Sequence, residues 1–100
     1  MLDRLTRDSF APLLNSRFQL ERGSDSIELE LTEVSQLRSS RHHESFSLVF
    51  RGPGDALLPQ SMYRLDHSVL GAVDLFLVPV GQDTHGLYYE AVISRLREKE

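Results

Sequence analysis

The amino-acid sequence predicts a mainly β domain, with about six mostly antiparallel strands forming a small barrel, roll or sandwich and one short N-terminal helix. Three observations carry this. After Asn15 the hydrophobic period changes from about 3.6 to 2, the change that takes a chain from helix into strand. The apolar runs that follow are joined mostly by short connections, which favour antiparallel neighbours over crossovers. The chain has 100 residues, enough for one hydrophobic core and not two. Strands with one apolar face must curl or pack on something, and the helix is available to plug the result. The organisation expected is a single domain over 1–100: a helical segment at 1–15, a β core at 16–95 and a frayed charged tail at 96–100.

Each element follows from its residues. Leu2, Leu5, Phe10, Leu13 and Leu14 recur near helical spacing, with Thr6, Asp8 and Ser9 as caps. Because of Pro12 the helix is either confined to about 6–11 or begins late, and Asn15 is a suitable left-handed terminator. Phe18 and Leu20 alternate with polar residues, as do Ile27, Leu29 and Leu31, and the turn Arg22-Gly23-Ser24-Asp25 between them predicts a hairpin. Val34 and Leu37 fall out of phase, which places a bulge or strand end near Thr32-Glu33. Residues 38–44 carry no apolar side chain and read as a loop. Residues 45–51 are the clearest strand, with Phe46, Leu48 and Phe50 on one face, ended by the turn Gly52-Pro53-Gly54-Asp55. A loop through Pro59 leads into a strand at 62–67. The run from Val73 to Val80 is apolar on both faces, so it is expected to be the most buried strand or to be covered on its second side by the helix. Pro79 lacks a donor and marks an edge or a bulge. Gly81–Gly86 then joins this strand to another at 87–93. Phe46, Leu48, Phe50, Leu65, Leu75 and Leu77 are the core expected from strand phase.

Composition narrows the function classes. The apolar fraction of 40% and charged fraction of 26% are those of a folded domain. The net charge is −4, and lysine occurs only at position 99, which argues against nucleic acid, whose phosphates need clustered basic side chains. Cysteine is absent, excluding disulfides, thiol catalysis and cysteine zinc sites. The start Met1-Leu2-Asp3-Arg4-Leu5 lacks the features of a signal peptide, and no run approaches a membrane span. A cytoplasmic or assembly-incorporated protein with no membrane contact is expected.

No residue pattern carries catalytic chemistry. His42, His43 and Glu44, with His67 or His85, would be the only candidate metal ligands, but adjacent histidines on extended chain point to opposite sides. No metal and no cofactor are expected. Ser45, Ser47, Ser61 and Ser68 lie near histidines without a nucleophile motif. Glu28 and Glu30 alternate with Ile27, Leu29 and Leu31 and mark a solvent face. Gly52-Pro53-Gly54-Asp55 is a turn, having neither the glycines nor the lysine of a phosphate loop. What stands out are Arg51, Tyr63, Arg64, Asp66, His67, Tyr88, Tyr89 and Glu90, polar or amphipathic residues on strands that otherwise read as core. Tyrosine and arginine most often anchor interfaces, and cross-strand pairing of Arg64 or Arg51 with Asp66 or Glu90 is the plainer explanation.

The segments Phe46–Pro53 (F-S-L-V-F-R-G-P), Leu58–His67 (L-P-Q-x-x-Y-R-L-x-H), Gly71, Leu75–Gly81 (L-F-L-V-P-V-G) and Tyr89–Val92 (Y-E-A-V), with F-x-P-L-x-N-x-x-F-x-L at 10–20, together resemble a family of small bacterial proteins, a domain of unknown function. The resemblance spans nearly the whole chain, and it implies an accessory or assembly role beside phage-tail-collar-like fibre proteins. At Asn15 and Ser61 it implies glycine; the residues present are both compatible with turns.

Two readings follow. The first is a non-enzymatic interaction or assembly module that binds a protein partner or itself through an exposed edge near Pro79 or a surface of Arg51, Tyr63, Arg64, His67 and Tyr89. The second is a small-ligand-binding barrel, or less favourably a small hydrolase, with a pocket near Arg51, Tyr63, His67 and Tyr89.

Overall fold

A computed structural model describes residues 6–96. Leu2 and Leu5 of the helical spacing, and 97–100 of the expected tail, lie outside the described residues. Helix α1 (Arg7–Phe10) runs into a 3-10 turn (Ala11–Leu13), followed by β1 (Arg17–Arg22), β2 (Asp25–Val34), the two-residue β3 (Arg38–Ser39), β4 (His43–Gly52), β5 (Ser61–His67), β6 (Gly71–Asp83) and β7 (Gly86–Leu96).

Six strands close on themselves in the order β1-β5-β6-β7-β4-β2, every neighbouring pair antiparallel, with β3 added beside the start of β4. This is the barrel among the three architectures expected. The local signals that build it are those anticipated. Thr6 caps α1, its backbone N–H donating to Ser9 Oγ at 3.1 Å. Asn15 takes φ of 72°, the left-handed conformation that turns the chain out of the helical segment into β1. Gly23 has φ of 60° at the first of two central residues, the type II′ arrangement that joins β1 to β2. The β2–β4 ladder shifts register between Leu31 and Glu33, where the hydrophobic phase breaks.

The barrel interior holds the inward residues of every long strand. Phe46, Leu48, Phe50, Leu65, Leu75 and Leu77 are all buried, with Phe18, Leu20, Leu29 and Leu31. Phe10 plugs one end, its ring 6.0 Å from that of Phe46. The loop between β4 and β5 covers the other: the buried Tyr89 hydroxyl accepts the Leu58 N–H at 3.0 Å and donates to the Ala56 carbonyl at 3.4 Å.

Two expectations are corrected and a third is narrowed. The 38–44 segment is not wholly loop, because Arg38 and Ser39 pair with Ser45 and Glu44 and β4 already begins at His43. The outer face of the 73–80 run is not covered by α1: the helix sits on the barrel end, and Phe76 and Val80 remain exposed. Of the two alternatives for Pro79, an edge or a bulge, the bulge holds: the residue lies at a register shift inside the β6–β7 ladder, and the edge expected near it is paired.

Candidate functional site

The five residues expected to form an interaction surface do not share one. Side chains alternate across a strand, so Tyr63 and Arg64, adjacent on β5, face opposite ways. Arg64 is exposed, and its Nε donates to Asp74 Oδ1 on β6 at 3.1 Å; that hydrogen bond holds the guanidinium above its ordinary pKa. Tyr63 is half-buried, and its hydroxyl donates to the Pro59 carbonyl at 2.6 Å. Burial pushes its phenol up. Arg51 lies on β4, separated from β5 by β6 and β7, and pairs with Glu30 across the β2–β4 ladder. The partners are therefore Asp74 and Glu30, and not the Asp66 or Glu90 expected, because the ladders place Arg64 opposite Asp74 and Arg51 opposite Glu30.

His67 and Tyr89 are corrections of another kind, for both are interior. Only 8% of His67 and 1% of Tyr89 is exposed, so neither presents itself to a partner. Tyr89 pairs with Phe50 in the β4–β7 register and points inward, while the neighbouring Tyr88 points out and donates to Asp83 Oδ2 at 3.0 Å. The four residues of the expected ligand pocket are likewise dispersed: the ≈ 410 Å³ groove that contains Arg51 is lined by Arg17, Glu28, Glu30, Pro53 and His85, without Tyr63, His67 or Tyr89.

His67 has a partner that no sequence motif signals. Its Nδ1 accepts the Val69 and Leu70 N–H groups at 3.0 and 3.3 Å, which fixes the other ring nitrogen as the protonated one. Nε2 then donates to Ser16 Oγ at 2.8 Å, and Ser16 donates onward to the Leu13 carbonyl at 2.5 Å. A serine nucleophile is activated when histidine accepts its proton. Here the hydrogen bonds run the other way, and the pair ties the 3-10 turn to the end of β5. The ring also lies 4.6 Å from Phe18, so the imidazole is packed as a core side chain. The remaining histidines stand apart: His42 and His43 precede or open β4, whereas His85 sits in the β6–β7 turn. Among the described residues no three His, Cys, Asp or Glu side chains are grouped as metal ligands would be. No described helix is long and apolar enough to cross a membrane.

The surface feature that emerges is apolar. Met62 on β5 stands opposite Phe76 on β6, and both join Val92 of β7 in lining one cleft of about 300 Å³. Their exposures are 58%, 45% and 64%, large for side chains of this kind in a row across three strands. The sequence carried the signal for it, an apolar second face at 73–80; the expectation that this strand is the most buried, or is covered on that side by the helix, does not hold for the exposed Phe76 and Val80.

No curated protein and no solved structure matches the chain. The family comparison is positive: the chain belongs to the family described as a domain of unknown function (DUF6916), whose model matches residues 5–93.

Proposed function

We propose that the protein is a non-enzymatic interaction or assembly module whose contact surface is the exposed row Met62–Phe76–Val92. The observation that carries this reading is the row itself, three large exposed apolar side chains lining one cleft. Apolar surface gains free energy on leaving water, roughly 25 cal/mol per Å², and a contiguous patch is the form in which it binds partners. The hydrogen-bond direction at Ser16–His67 and the ion-paired state of Arg51 and Arg64 fit a scaffold better than a reaction centre. A place in the cytoplasm or within a protein assembly, including the tail-like or fibre setting implied by the resemblance, is where such a module would serve.

The test pairs stability with binding. Met62→Thr and Val92→Thr together should leave the melt within a few degrees, since both positions are exposed and threonine suits a strand. The same variant should lose at least tenfold in affinity for the partner recovered with the wild-type protein from its native cell. Unchanged affinity would remove this surface from the proposal.

A further inference from the structure

The β6–β7 ladder ends at Val78–Glu90, although β6 begins at Gly71 and β7 continues to Leu96. Over 71–77, β6 is laddered to β5 alone, and over 91–96, β7 is laddered to β4 alone. Backbone N–H and C=O groups alternate between the two sides of a strand, so each stretch directs part of its polar backbone into the space between β6 and β7. That space is the 300 Å³ cleft, lined by Met62, Asp74, Leu75, Phe76, Val92 and Ile93. Sheet edges of this kind are templates for another strand, because their groups are arranged at strand spacing and lose hydrogen bonds wherever they are covered by anything else.

Charge narrows the occupant. The ionised residues that line the cleft are already matched, Asp74 with Arg64 and Arg95 with Glu44. A charged ligand would have to compete with those pairs, whereas backbone donors and acceptors and the apolar row are what the cleft leaves to be met. A small apolar molecule meets the row but not the backbone groups. An extended polypeptide meets both.

We propose that the cleft between β6 and β7 receives an extended segment of a partner protein as an added strand, about five residues long, with uncharged apolar side chains at alternate positions resting on Met62, Phe76 and Val92. Main-chain hydrogen bonds would supply affinity and the apolar row would select the side chains, as in other strand-addition complexes. The proposal rests on the interaction-module reading and names the chemistry of its partner.

The experiment uses the full chain and three synthetic probes. One is an acetylated, amidated heptapeptide of alternating valine and threonine; the other two are the same peptide N-methylated at alternate residues in one register or the other, each of which removes the backbone donors along one edge while keeping the side chains. Amide hydrogen exchange is followed with each. At saturating unmodified peptide, amides within 71–77 and 91–96 should slow at least tenfold, and N-methylation on the pairing edge should weaken binding at least tenfold. Binding of both N-methylated registers within twofold of the parent overturns strand addition and leaves the apolar surface in use. Absence of protection at saturation overturns it too, while the Met62/Val92 capture experiment separately decides the module reading. Protection that grows with protein concentration and without peptide would replace the partner segment by a second copy of the chain.

Discussion

Tyr89 hydrogen-bonds through its hydroxyl to the loop that closes one barrel end, so a single oxygen links β7 to Ala56 and Leu58. Tyr89→Phe removes that oxygen and leaves the Leu58 N–H in a buried place without its acceptor, a loss of about 1–3 kcal/mol. Calorimetry should record it, together with faster exchange of the Leu58 amide. The sequence shows two adjacent tyrosines, and which of them faces inward depends on register; only the Phe50–Tyr89 pairing settles it. Asp83 yields a prediction in pH. The His85 N–H, at 2.8 Å, and then the Tyr88 hydroxyl hydrogen-bond its carboxylate and lower its pKa. A lowered carboxylate stabilises the fold above its unfolded value and ceases to do so as pH falls through the folded value, that is, below about pH 4. Asp83→Asn should therefore show a smaller drop in Tm between pH 6 and pH 3 than the wild type. An equal drop in the two proteins would disprove it.

At the scale of elements, the legible features were those that declare themselves locally: alternation in β1, β2 and β4, the Gly23 turn, the left-handed Asn15, and the phase break at Thr32-Glu33. What stayed hidden was decided by partners distant in sequence. The two-residue β3 has no apolar pattern of its own and exists because β4 offers it an edge. The Ser16–His67 contact joins residues far apart in the chain, and no spacing rule encodes it. Strand β6 was recognised by its composition, yet not its change of neighbour: it pairs with β5 up to Leu77 and with β7 from Val78, and the proline bulge follows directly on that exchange. Hydrogen exchange of the unliganded protein should reveal the consequence. Within 91–96 the amides bonded to β4 should be protected and those directed at β6 should exchange faster, giving an alternating pattern that disappears in 87–90, where β7 is laddered on both sides. Uniform protection through 96 would mean that the two strands are joined along their whole length.

The whole molecule is a ring whose stability is shared by all its staves. Phe50 is fully buried, in edge-to-face contact with Phe18 at 5.2 Å. Phe50→Ala should cost about 3–5 kcal/mol, much of the 5–15 kcal/mol that holds a domain together, so its melt should fall steeply or vanish; an unchanged melt would remove β4 from the core. Glycine shapes the ring as well. A Cβ on Gly86 would collide with the Gly52 carbonyl, so the start of β7 approaches the end of β4 only because Gly86 has no side chain, while a Cβ on Gly52 would press on Leu29 inside the barrel. The narrowest join in the ring is between β1 and β5, with only Gln19–Asp66 and Leu20–Leu65 in register, supplemented by Ser16–His67. Those two strands are remote along the chain, and bringing them together costs loop-closure entropy before few contacts reward it. With so few contacts to reward closure, that join is expected to form on the late side of the folding barrier. Ser16→Ala should accordingly leave the refolding rate in stopped-flow experiments nearly unaltered and accelerate unfolding, placing its effect on one arm of the chevron.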